Sequence, residues 1–291
     1  MYVTDGDPTP RATREIELPS GTLRYSEHGD GPPVVFVHGL LVNSSIWRKV
    51  VPAVAAAGFR CITPDWPLGS HSIAVPGADL SPPGVARIVA EFLESLDLRD
   101  VVLVANDTGG AITQLTMVAH PERIGRVVLT PCDSFERFFP PPFNVMPMTA
   151  RVPGAVWLML QSMRIRPLQR LPIALGWVAK RQIPRDVVDS FINPSRDNRA
   201  IRRDLVRFLR GVNKRYTLDA AENLRNFTKP VLVVWATEDK LFPMSLAERL
   251  VAALPDATLE NINDSYTFVS EDQPAELARR IIMFAGARVA A

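Results

Sequence analysis

"VVLVANDTGGAITQL", residues 101–115, is the stretch that decides how the rest of the chain is read. It opens as an uninterrupted apolar run rich in valine, the composition of a strand covered on both faces. The run breaks at Ala105, Asn106 and Asp107, passes Gly109 and Gly110, and resumes as a helix-forming segment. A strand–turn–helix in which small residues flank one central side chain is a nucleophile elbow, a sharp turn that holds that side chain in a strained, exposed position. The frame Ala105-Asn106-Asp107-Thr108-Gly109 puts a carboxylate at the tip, where serine is commonest. Aspartate is also a favoured helix N-cap, but capping alone does not ask for small residues on both sides.

Working outward, strands alternate with helices on both sides of this motif. "REIEL" and "TLRYSEHG" read as two short strands separated by Pro19, Ser20 and Gly21, and "PVVFVHG" as a buried strand. A helix is predicted over "IWRKVVPAVAAAG", a strand over "FRCITPDW", and a helix over "SPPGVARIVAEFLESLDL", opened by Ser81 and two prolines. "RVVLTP" follows the elbow helix as the next strand, and "PVLVVWA", "MSLAERLVAAL", "ATLENI" and "PAELARRIIMFA" complete the alternation. The pattern implies parallel βαβ units. It is interrupted after Pro131 by a stretch rich in proline, methionine, tryptophan and arginine, in which "IRRDLVRFLR" sets Ile201, Leu205, Phe208 and Leu209 on one side. The expectation is an α/β fold: a mostly parallel central sheet flanked by helices, with a core of residues 14–134 and 227–286 and an inserted helical cap over 135–226. Residues 1–13 are polar and are expected to fray.

Composition limits the functions open to such a chain. Its 291 residues are 47% hydrophobic, enough for a sizeable core, and a net charge of +2 gives no argument for nucleic acid. Cys61 and Cys132 lie in apolar strand contexts without a spacing pattern, which suits reduced thiols and a cytoplasmic location. No stretch approaches the ~20 apolar residues of a membrane helix, so no membrane partner is expected. Residues 164–215 hold fourteen Lys and Arg against four Asp, a bias that suits solvated helix faces or the steering of an anionic substrate. No metal and no cofactor is implied; the partner is a small-molecule substrate or ligand, and the chain a monomer or homodimer.

Chemistry in an open α/β sheet gathers at the carboxyl ends of the strands. "VFVHGLL" ends its strand in His38-Gly39, where the Leu40 N–H joins that of Thr108 as two donors for a developing oxyanion. "WATEDKLFP" ends in Asp239, with Pro243 four residues on, and "RVVLTPCD" offers Asp133 as a second candidate acid.

Together, the His38-Gly39 turn, "DWPLGSHS", the elbow, "AHPERIGRVVL", "TEDKLFP" and "SEDQPAEL" resemble the α/β-hydrolase fold family in order and approximate spacing, over roughly residues 14–286. The Asp nucleophile and the cap are similar to the haloalkane dehalogenase and epoxide hydrolase branch. That resemblance implies attack by Asp107 on an electrophilic carbon, an alkyl-enzyme ester, and its hydrolysis by water activated by a histidine oriented by an acid. At the position the family gives to the histidine, "INDSYTFVSEDQP" has Thr267, and the four histidines, His28, His38, His71 and His120, all precede the cap. Thr108 stands where dehalogenases commonly have a halide-binding tryptophan, Leu40 where a polar residue often follows His-Gly, and Tyr216 is the single tyrosine of the cap, where epoxide hydrolases use a pair.

The candidate catalytic residues are therefore Asp107, Asp239 and Thr267, with Leu40 and Thr108 as the oxyanion hole. His38, Asn106, Asp133, Trp157, Trp177, Tyr216 and Tyr266 are the candidates for the substrate pocket, His38 with a structural reading beside it as a ring bonded beneath the elbow. Three functions remain open: a hydrolase acting on a halide, epoxide or ester through an Asp107 ester, with turnover impaired at Thr267; a small-ligand-binding member; and a non-hydrolytic enzyme using Asp107 as a base.

Overall fold

The computed structural model describes residues 12–287. Eight strands, β1 (Ala12–Leu18), β2 (Gly21–His28), β3 (Pro33–Val37), β4 (Arg60–Pro64), β5 (Val101–Asp107), β6 (Ile124–Cys132), β7 (Val231–Ala236) and β8 (Ala257–Ile262), form one sheet in the order β1-β2-β4-β3-β5-β6-β7-β8. β1 and β2 run antiparallel and β2 meets β4 antiparallel, while β4 to β8 are parallel. The predicted frayed leader falls mostly outside the described residues, but Ala12 and Thr13 already pair with Glu27 and Ser26.

Helices α1 (Val51–Ala56), α2 (Pro82–Ser95) and α3 (Thr108–Ala119) cover the first half of the sheet. Ser81 caps α2 by accepting the Gly84 N–H at 3.3 Å, and Val85, Ile88, Val89, Phe92 and Leu93 are buried, the face the periodicity predicts. The helix expected over residues 46–58 is shorter. Ser44–Trp47 forms a 3₁₀ turn capped by Asn43, and α1 starts only at Val51. Pro52 accounts for the break: it has no N–H to donate one turn back and its ring crowds that carbonyl, so it is accommodated only in the first turn of a new helix.

Between β6 and β7 lies the helical insertion, with α4 (Met146–Thr149), α5 (Ala155–Ser162), α6 (Arg185–Asp197), α7 (Arg199–Gly211) and α8 (Lys214–Asn223). In α7 Ile201, Leu205, Phe208 and Leu209 are buried as expected, and Asp204 is buried with them. Its carboxylate accepts the Val75 N–H at 2.8 Å and faces His71 Nε2 at 3.3 Å. The Gly69 N–H donates to His71 Nδ1, so Nε2 carries the ring proton towards Asp204. Arg207, one turn on, donates to the carbonyls of Val75, Pro76 and Ala78. Ser195 of α6 donates to the Gly69 carbonyl, and Ser70 to that of Phe191 at 2.6 Å. Residues 69–78 of the core are thus clasped to α6 and α7.

After β7 the chain closes with α9 (Met244–Ala253), α10 (Val269–Asp272) and α11 (Pro274–Gly286). Two adjacent acids of "SEDQP" are buried at this closure, and each anchors a different partner. Glu271 takes ion pairs from Arg48, through Nη1 and Nη2, and from Lys49 Nζ at 2.8 Å. Asp272 accepts the N–H groups of Lys180 (2.9 Å), Arg181 (2.7 Å) and Tyr266 (2.9 Å), and Phe268 N–H donates to Val178 at 2.6 Å. The loop carrying Thr267 is therefore pinned to the core by Glu271 and to the insertion by Asp272. Replacing Glu271 by Gln leaves Arg48 and Lys49 without their counter-charge; allowing for the partial exposure of both cations, the expected loss in urea denaturation is about 2 kcal/mol.

Candidate active site

The elbow is built by close approach. A Cβ at Gly109 would lie 2.4 Å from the Val37 carbonyl oxygen, and one at Gly110 would lie 2.2 Å from Cys132 Cβ, so only glycine lets α3 start against the ends of β3 and β6. At the tip Asp107 adopts φ 55° and ψ −135°, a backbone that costs a non-glycine residue of order 1–3 kcal/mol. The side chain lies against Gly39, whose hypothetical Cβ would sit 2.1 Å from Asp107 Oδ2. Burial raises the Asp107 carboxyl to about 6, opposed by the backbone N–H groups of Thr108 and Leu40, which favour the anion.

Asp107 opens into a cavity of about 300 Å³ between the sheet edge and the insertion. Its walls are apolar: Leu40, Leu41 and Val42 come from the core, Phe139, Phe143 and Met146 from the start of the insertion, Met159, Met163, Leu175 and Val178 from its middle. Thr108, Leu241 and Phe268 complete the floor. Such a volume suits a small organic molecule with little to hydrogen-bond.

Two further carboxylates stand behind this surface. Asp239 Oδ1 accepts the N–H groups of Leu241 (2.7 Å) and Phe242 (2.8 Å) and the Thr267 hydroxyl at 3.2 Å. Burial outweighs these bonds and pushes its carboxyl up to about 7. Asp133 accepts the Thr108 hydroxyl at 3.0 Å, and burial, followed by the Asp107 charge, raises its carboxyl well above the usual range. Thr267 is fully buried, and its carbonyl takes a bond from Asn106 Nδ2 at 2.8 Å.

None of the seven side chains expected in the pocket lines it. His38 lies beneath the turn, with Nδ1 donating to Gly39 O at 2.9 Å and Nε2 accepting Trp66 N–H at 2.8 Å; burial lowers it to about 4 and keeps it neutral. Asn106 also points inward, its amide spent on Thr130, Pro131 and Thr267, and Asp133 is fully buried behind Thr108. Trp157 is 47% exposed on the outer face of the insertion, and Trp177 packs within it. Tyr216 lines a separate surface hollow with His120, and Tyr266 stacks under the Lys240 ammonium, 4.5 Å from the ring centre. Tryptophan and tyrosine were the sequence signal for a pocket, yet the lining is aliphatic side chains, methionines and phenylalanines drawn from separate helices and loops between residues 40 and 268, whose proximity no local pattern encodes. His71, engaged by Asp204, and His120, at the end of α3, are likewise placed away from Asp107. Cys61 and Cys132 are free thiols, and no cluster of metal-ligating side chains occurs among the described residues.

Residues 32–274 match the model of the alpha/beta hydrolase fold family. Haloalkane dehalogenase 2 of Mycobacterium tuberculosis is 26% identical over 295 residues, covering 97% of each chain. The 2-hydroxy-6-oxononadienedioate/2-hydroxy-6-oxononatrienedioate hydrolase of Cupriavidus pinatubonensis is 26% identical over 260 residues, 87% of this chain and 86% of that one. Among solved structures, the haloalkane dehalogenase DbeA of Bradyrhizobium elkani superposes with a TM-score of 0.77 at 20% identity, over 94% and 97% of the two chains. The serine hydrolase CarC, involved in carbazole degradation, gives 0.74 at 22% identity, over 95% and 100%. With the parallel sheet, the elbow between β5 and α3 and a family match spanning most of the sequence, the chain belongs to the α/β hydrolase fold family.

Proposed function

We propose that the protein is a haloalkane dehalogenase-like hydrolase that attacks a small, apolar organic electrophile through Asp107. The observation that carries this reading is the Asp107 carboxylate itself: held at a strained elbow, faced by the Leu40 and Thr108 N–H groups, and open to an apolar cavity. The dehalogenases among its relatives support the choice of branch. Residues 135–226 act as the cap of this site, over a core of 14–134 and 227–286.

In the first step one Asp107 oxygen attacks carbon and an ester forms, while a halide leaves as its anion or an epoxide C–O bond opens to an alkoxide that stays on the adduct and takes a proton from water. The second oxygen of that ester points to the Leu40 and Thr108 N–H groups, which stabilise the oxyanion when water later adds to the carbonyl. That addition needs a base. In our reading Thr267, whose hydroxyl donates to Asp239, stands in place of that base, and a hydroxyl does not accept a proton near neutral pH. Ester release is therefore the slow step, with a base-less penalty of ~10² to 10⁴.

Intact-mass spectrometry with a panel of haloalkanes, epoxides and activated esters tests the first step. An adduct is expected on Asp107, an epoxide adding its whole mass and a haloalkane its mass less the hydrogen halide. Because only the anion attacks, labelling should rise about tenfold from pH 5 to pH 8 with its midpoint near 6. Asp107→Asn should abolish labelling, and an adduct that survives the change places the nucleophile elsewhere. The same variant should gain stability at high pH. The parent carboxyl, raised in the folded state from 3.8, destabilises the fold once ionised, so the gain, up to about 3 kcal/mol, is full above pH 6 and gone below about pH 4. Thr267→His should shorten the lifetime of the adduct. Rapid multiple turnover by the parent that Thr267→Ala leaves unchanged would refute the account of the second step.

A further inference from the structure

Between residues 137 and 185 the chain has eight Lys and Arg and no Asp or Glu. The same segment holds eight of the nine large apolar side chains exposed among the described residues, all between Val145 and Ile173. They are not scattered: Val145, Leu171 and Ile173 are each exposed and also line the mouth of the Asp107 cavity, while Met148 and Leu158, 68% and 64% exposed, adjoin the lining residues Thr149 and Met159. A monomer in water seldom leaves so much aliphatic surface in one place.

A second feature lies against the first. A cleft of about 640 Å³ is lined by Arg166, Arg170, Lys180, Arg181 and Arg185, and it shares the Leu175 wall with the apolar cavity. Arg166, Lys180 and Arg181 are held by Asp189, Glu238 and Asp264 at its edges. Arg170 and Arg185 of the cleft, and Arg151, next in sequence to the exposed Val152, have no carboxylate within ion-pair reach among the described residues.

We propose that this first half of the insertion docks on the face of an anionic phospholipid bilayer, its aliphatic side chains entering the acyl boundary and the arginine cleft receiving headgroup phosphates. Aliphatic residues and an exposed tryptophan, Trp157, beside unpaired arginines are the composition of an interfacial surface. No helix here is long and apolar enough to cross a membrane, and docking requires none. A second copy of the chain fits less well, because a two-fold contact sets the patch against itself and brings Arg170 and Arg185 to their own kind, while the acids at the cleft edge, Asp189, Glu238 and Asp264, are already paired. Docking also turns the cavity mouth to the lipid, so that an apolar guest passes from bilayer to Asp107 without entering water.

The test is co-sedimentation of the full chain with vesicles of equal parts phosphatidylglycerol and phosphatidylcholine, and with vesicles of phosphatidylcholine alone. Binding should be at least roughly tenfold tighter to the anionic vesicles and should weaken as salt is raised. Met148→Asp with Leu158→Asp, and separately Arg151→Glu with Arg170→Glu, should each weaken it by roughly tenfold or more, while circular dichroism stays that of the parent. Failure of the parent to sediment with anionic vesicles, or unchanged binding by both variants, overturns the proposal. So does a concentration-dependent dimer in sedimentation velocity, abolished by Leu158→Asp and seen without lipid binding, since the patch then belongs to a second copy. The readout is lipid binding, so the outcome is independent of the chemistry at Asp107.

Discussion

A carboxylate kept at the tip of a strained turn, in apolar surroundings, is the constraint around which this molecule is arranged. An anion there is costly to bury, and the chain meets the cost with backbone rather than with a cation: the N–H groups of Leu40 and Thr108 face Asp107. That solution dictates its neighbours. Gly39 must lack a side chain because the carboxylate occupies the space, and Gly109 and Gly110 must lack one so that α3 can begin against β3 and β6. His38, neutral and bonded at both ring nitrogens, holds the Leu40 turn from beneath.

The central sheet and its helices were legible in the sequence because their signals are local. "VVLVAN", "PVLVVWA" and "RVVLTP" are apolar throughout because both faces of β5, β7 and β6 are covered, and the small residues of 105–110 record the crowding at the elbow. The turn after β7 was legible for the same reason, since the Asp239 carboxylate accepts from Leu241 and Phe242, two and three residues on. The pocket was not. Large aromatics are conspicuous in a sequence, but Trp157 is turned outward and Tyr266 serves a lysine, whereas the cavity wall is assembled from residues 40 to 268 by tertiary packing. Asp204, Glu271 and Asp272 are charges in a helix or loop whose interior role rests on distant partners: Val75 for Asp204, Arg48 for Glu271, and Lys180 and Arg181 for Asp272 beside its nearby Tyr266.

Three acids close to one another are thus used in different ways. Asp107 is presented to the cavity, Asp239 is spent on a turn and on Thr267, and Asp133 is withdrawn behind Thr108. Burial raises all three, and the Asp107 charge adds to the rise at Asp133 and Asp239, so ionising one discourages the others.

The clasp between residues 69–78 and helices α6 and α7 fastens only one half of the insertion. His71, Asp204, Arg207, Ser70 and Ser195 stitch that half to the core, while α4 and α5, which contribute much of the cavity wall, carry among the described residues little beyond the bond from Arg210 to the Ala150 carbonyl at 2.8 Å. Mutational tolerance is divided accordingly. A substitution among the stitched residues propagates into the core, but one in α4 or α5 reshapes the space above Asp107 and little else, so a lineage can explore new guests by drift in that half while the floor around Asp107 is inherited unchanged.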